Sequence, residues 1–226
     1  EVASLTVLTK PDLSVSFRSS QDSADTRTVA KANAMVQIAI NEARRVDAPK
    51  FNKSKFEAAV DYALTQTTNH GGFYPLVREA FRDAGVILVV LPNLTGSKTN
   101  GATKKIGSNV LLMVNDRRLY ADSFWFTMLH EAGHILNDDL GISLDGDTGE
   151  REERADRFAS NSLIDPNLYS MFVKQGDFGI SSIKSFATEI NRDPGIVLGR
   201  LQNDGLVQYS DTGLAALRCR YKVVAS

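Results

Sequence analysis

At 226 residues, with 42% hydrophobic and 23% charged side chains, the chain can bury one large core or two small ones and has an ordinary soluble composition. Its formal net charge of −1 excludes a strongly basic nucleic-acid binder, and its single cysteine, Cys219, excludes a disulfide framework and fits a reducing compartment. No apolar run approaches a bilayer span and no basic-then-apolar leader opens the chain, so a cytoplasmic protein is expected.

Residues 1–20 show no periodicity and are expected to form an irregular lead-in; the chain opens on Glu1 rather than Met, as a fragment of a longer protein would. Between Ser23 and Val46, Val29, Met35, Ile38, Ala39 and Val46 recur at helical spacing. A second helix is expected at Ser54, where Ser54 and Glu57 have the spacing of a capping box ahead of Phe56, Val60 and Leu64. A third runs from Tyr74 to Ala84, with Gly85 suited to a left-handed C-terminal cap.

The pattern then changes. The run from Val86 to Leu91 is β-branched, ends at Pro92 and reads as a buried strand. Residues 96–108, with three glycines and three lysines, read as a hairpin or loop, and Asn109–Val114 as a second strand. After Asp122, a good N-cap, Phe124, Phe126, Leu129 and Ile135 mark a helix. Further helices are expected over Gly149–Ser162, Ile180–Ile190 and Pro194–Gln202, the last capped by Asp193; Leu206–Tyr209 and Ala216–Val223 would pair as a terminal hairpin. A small sheet set between helices makes the class α+β.

Residues 1–125 hold 16 Lys/Arg against 12 Asp/Glu, too weak an excess to argue for nucleic-acid binding by this chain, whereas residues 126–226 hold 10 against 15. Eight carboxylates and two arginines fall between Asp138 and Asp156, which is either a solvated face or part of a cation site.

The informative segment is His130-Glu131-Ala132-Gly133-His134. Histidines four apart on a helix share a face and can present two imidazole nitrogens to one Zn²⁺, while the glutamate between them can serve as general base. A catalytic zinc needs a third protein ligand. His70, the one remaining histidine, sits beside Asn69 and Gly71-Gly72 and reads as a turn residue. On the helix after Gly149, Glu152 shares a face with Ala155, Phe158 and Ala159, whereas Glu153 is rotated away by about 100°. Asp156, one turn beyond Glu152, is placed to accept the second ring N–H of a ligand histidine.

The segment from Phe126 to Ile135, followed by Glu152-x-x-Ala155-Asp156-x-Phe158-Ala159 and Pro166, resembles the ImmA/IrrE family of zinc metallopeptidases. Gly85–Val90 and Ser181–Tyr209 extend the likeness over roughly residues 75–210. The resemblance implies His130, His134 and Glu152 as zinc ligands, Glu131 as base and Asp156 as a hydrogen-bonding partner. It also implies a zincin-like HExxH helix packed on a small, mostly antiparallel sheet, with additional helices. Residues 1–70 are then a lead-in and helical segment, and residues 71–226 a metallopeptidase domain with a C-terminal extension. Asn109–Val114 is the strand expected to receive a substrate by strand addition. Tyr74, Tyr120, Tyr169 and His70 are candidates to stabilise the oxyanion. The implied partner is one or a few regulatory proteins, repressor or antitoxin-like, cleaved to relieve repression. Family members fused to an upstream helix-turn-helix domain differ from this chain, which shows none over residues 1–60. The alternative is a zinc-containing regulatory module that binds its partner without cleaving it.

Overall fold

A computed structural model describes residues 26–144, 146 and 148–223; the expected lead-in over residues 1–20 lies outside them. The element order is α1 (Thr26–Ala43), α2 (Lys53–Leu64), α3 (Phe73–Asp83), β1 (Val86–Leu91), β2 (Thr99–Ile106), β3 (Asn109–Asn115), α4 (Ala121–Leu136), β4 (Ile142–Leu144), α5 (Glu150–Leu163), α6 (Pro166–Gln175), α7 (Ile180–Glu189) and α8 (Pro194–Asn203), then a 3₁₀ segment (Thr212–Leu217). The class is α+β, as the sequence implies.

The four strands lie in the order β1-β3-β2-β4. β1 pairs parallel to β3, and β2 pairs antiparallel to both β3 and β4. β3 alternates between two cores. Val110, Leu112 and Val114 face the side that holds α4, whereas Leu111 and Met113 pack with Met35, Val36 and Ile40 of α1. A strand covered on both faces must be apolar at nearly every position, which is why β1 and β3 are continuous hydrophobic runs rather than alternating ones. Phe56 and Val60 of α2 share the α4-side core with Phe81, Val86 and Leu112, so helices before and after residue 70 build the same interior.

Several expectations fail for identifiable reasons. Residues 99–106 form a strand rather than a loop, because β3 and β4 supply the ladder partners that an isolated Gly- and Lys-containing stretch lacks. β3 is consequently interior and paired on both sides, so it has no edge left to receive a substrate. Helix α2 starts at Lys53, and its cap is Asn52, whose side chain accepts from the Lys55 amide at 2.9 Å; the Ser54–Glu57 pair lies within the helix. Asp122 does not cap α4. That helix starts at Ala121, and the Asp122 carboxylate accepts a 2.9 Å hydrogen bond from Arg218. The terminal hairpin is absent: the 3₁₀ segment occupies part of it, and the tail pairs instead with the approach to α4 through a Tyr120–Arg220 bridge.

Other local signals hold. Asp165 and Asp193 accept backbone N–H groups at the starts of α6 and α8, each followed by proline at the first helical position. Gly85 has φ 81°, and a Cβ there would lie 2.5 Å from the Phe51 backbone, so the turn from α3 into β1 needs glycine twice over.

Candidate metal centre and active site

Helix α4 is held by its apolar face. Trp125, Met128, Leu129 and Ala132 are fully buried, and they fix the rotation that carries His130, Glu131 and His134 to the neighbouring side. Helix α5 crosses close to it. Gly133 provides the clearance: a Cβ at this position would meet the Phe158 ring at 3.0 Å. At the exit of α4, Asp139 ties the same pair of helices together, accepting from Arg154 at 2.7 Å. Part of the acidic run thus serves as ordinary ion pairing, and part of it enters the site.

The chelating geometry is direct. Nε2 of His134 lies 2.9 Å from Nε2 of His130, and the Glu152 carboxylate lies 3.1 Å from the His130 nitrogen and 3.4 Å from the His134 nitrogen. Ligand atoms from these three residues all fall within 4.8 Å of one another. All three are buried. Glu153 is exposed, as its helical phase predicts. Asp156 reaches the opposite side of His130, its Oδ1 at 2.8 Å from Nδ1, which leaves Nε2 pointing at the convergence point.

The electrostatics favour a cation at that point. Burial alone would lower the His130 pKa, but the carboxylates of Asp156 and Glu152, with Glu131 nearby, outweigh it and push it up to about 9. Burial likewise would raise the Glu152 carboxyl, but hydrogen bonds with His130 and His134 hold it well below the usual carboxylate range. Two imidazoles and one carboxylate, enclosed and converging, match the donor set and number that a catalytic Zn²⁺ takes from protein.

Glu131 is fully buried, with its carboxylate against Gly101 of β2. His130, Glu152 and Asp156 line a cavity of about 570 Å³. Its far wall comes from the C-terminal part of the chain, including Ile196, Gly199, Arg200, Tyr209 and Arg218.

His70 is not at the site. It lies 3.1 Å from Asp193 and 2.9 Å from the Tyr221 hydroxyl, and joins the start of α8 to the C-terminal tail. Tyr169 donates to Asp204 at 2.8 Å and carries Arg200 over its ring, while Tyr74 does not line the cavity. Among the four oxyanion candidates Tyr120 does line it, with the guanidiniums of Arg218 and Arg220 over its ring at 4.7 and 5.6 Å. Sequence reasoning missed Arg218, Tyr209 and Gly101. None of these belongs to a motif; Arg218 and Gly101 matter through long-range contacts, and Tyr209 through its place on the cavity wall.

The family model of the IrrE N-terminal-like domain, Peptidase_M78, matches residues 86–176. That span runs from β1 through α6 and holds the converging His130, His134 and Glu152 together with Glu131. No curated protein matches the chain. No helix among the described residues is long and apolar enough to cross a membrane.

Proposed function

We propose, from the match of residues 86–176 to the IrrE N-terminal-like domain model, that the chain is a zinc-dependent endopeptidase of the ImmA/IrrE type. Its substrate in this reading is a specific regulatory protein, a DNA-binding repressor or antitoxin-like regulator, whose cleavage relieves transcriptional repression. The buried convergence of His130, His134 and Glu152 next to Glu131 carries the reading.

His130, His134 and Glu152 hold the metal. Zinc bound there would act as a Lewis acid toward a peptide carbonyl. Asp156 keeps the Nδ1 proton of His130 and so presents Nε2 in the ligating tautomer. Glu131 takes the proton of the attacking water and delivers it to the leaving amine, so that one carboxylate serves both steps. Selection of one or a few substrates rests on the far wall of the cavity, where Ile196, Arg200, Tyr209 and Arg218 all come from beyond the family match.

The test is incubation of zinc-loaded protein with purified candidate regulators, read by mass spectrometry. Wild type should yield discrete fragments. Glu131→Gln, nearly isosteric and not a ligand, should retain zinc and lose roughly 10²–10⁴-fold in cleavage rate. Full de-repression in cells by Glu131→Gln at normal zinc content would overturn proteolysis in favour of the non-cleaving regulatory module.

A further inference from the structure

The carboxylate of Glu131 lies where a side chain on β2 would be. An ideal Cβ built at Gly101 falls 2.6 Å from Glu131 Oε1, 2.6 Å from its Cγ and 2.8 Å from its Cδ. Side-chain contacts of this kind ordinarily lie at 3.4 Å or more. Any residue but glycine would therefore have to displace something, and three features determine what moves.

The strand cannot retreat easily. Gly101 is paired with Val114 on one side and Ser143 on the other, and the ladder carries a register shift between Thr99 and Gly101. Asn115 pins that irregular stretch by donating to the Thr99 carbonyl at 2.8 Å. The helix cannot retreat either, because Trp125, Met128, Leu129 and Ala132 lock α4 into the core on the same side of the sheet. What remains is the Glu131 side chain, which has rotatable bonds and no covalent tie. The ligands need not follow it: His130 and His134 ride on the locked helix α4, Glu152 comes from α5, and Asp156 fixes the His130 ring from its other side.

We infer that Gly101 is the positioning residue for the general base: its missing side chain sets the depth at which the Glu131 carboxylate lies beside the metal ligands. The inference rests on the reading of Glu131 as that base. It also assigns a purpose to β2, whose glycine is costly in a strand interior by propensity alone. A misplacement on the order of 1 Å at a reacting group costs about 10²-fold in rate, so a carboxylate moved by one methyl group is functionally removed while the metal stays in place.

The test uses Gly101→Ala in the full chain loaded with zinc, with benzohydroxamate as probe, because a hydroxamate chelates the metal and shares a proton with the adjacent carboxylate. The crystal structure of Gly101→Ala should show the Glu131 carboxylate displaced, with His130, His134 and Glu152 unmoved and one zinc per chain. Benzohydroxamate affinity should fall by roughly 10- to 100-fold. Adding Glu131→Ala, which removes the Cγ, Cδ and Oε1 that the new Cβ would meet, should recover the thermal stability that Gly101→Ala loses. A carboxylate that stays in place overturns the inference, as does unchanged hydroxamate affinity despite displacement, or failure of Glu131→Ala to restore stability. Should Gly101→Ala not fold, folding of the double variant identifies the same clash, and its failure to fold overturns the inference. A displaced carboxylate with the predicted rescue, in a protein that cleaves no candidate regulator, would sustain the positioning role and count against the proposed substrate class.

Discussion

Individual side chains at the centre carry unequal and separable burdens. Glu152 touches both histidines from a buried position, whereas Glu153 points to solvent one residue later. Glu152→Ala should strongly weaken zinc binding and Glu153→Ala should leave it nearly unchanged; a chelator competition titration ranks them. Asp156→Ala should fall between, with a loss of about 10–100-fold in affinity, because it orients a ligand without being one. The His130 imidazole also predicts a pH dependence. Its pKa of about 9 means that below this pH zinc must displace a proton from the nitrogen it needs. Apparent zinc affinity should therefore drop by about tenfold per pH unit below pH 9 for that single proton, and flatten above it. The same titration repeated across pH 7 to 10 checks the sign and the plateau.

At the scale of elements, the site exists because two helices approach closely. Gly133 of α4 lies under the Phe158 ring of α5, and α5 brings Glu152 and Asp156 with it. Gly133→Val should push the helices apart, destabilise the fold by about 1–3 kcal/mol as overpacking does, and reduce zinc affinity without touching a ligand. Thermal unfolding with and without zinc separates the two effects. The strands make a complementary point. The hydrophobic runs of β1 and β3 could be read from their residues, because burial on two faces demands apolar side chains throughout. β2 could not be read, since Gly101, Thr103, Lys104 and Lys105 acquire strand geometry only from partners on both sides. The interior place of β3 follows from β2, and so it was equally hidden.

For the molecule as a whole, the C-terminal tail closes around the entry to α4. Arg218 donates to the buried Asp122 at 2.9 Å, Ala121 donates to the Cys219 carbonyl, and Val223 donates to Asp116. Desolvation raises the pKa of the Asp122 carboxyl, and the nearby Arg218 opposes that rise. Arg218→Ala should strand this carboxylate in the interior and destabilise the protein by about 3–5 kcal/mol, as breaking one side of a buried pair does. Chemical denaturation monitored through Trp125, which is fully buried, reads the loss. Because Arg218 and Tyr120 also line the cavity, the same contacts that fasten the tail shape the space a substrate would enter.

The convergence of His130, His134 and Glu152 was legible in the sequence because it obeys local rules. The spacing of His130 and His134 and the phase of Glu152 against Ala155 and Ala159 are consequences of the helical repeat, which acts over one turn whatever surrounds it. The N-cap at Asp193 was legible for the same reason. What depended on tertiary structure was everything set by partners far along the chain: the strand state of residues 99–106, the capture of Asp122 by Arg218, the diversion of His70 to Asp193 and Tyr221, and the clearance at Gly101 for Glu131. Periodicity fixes which face a residue occupies, but which group it meets there depends on how distant segments pack, and no local spacing encodes that contact.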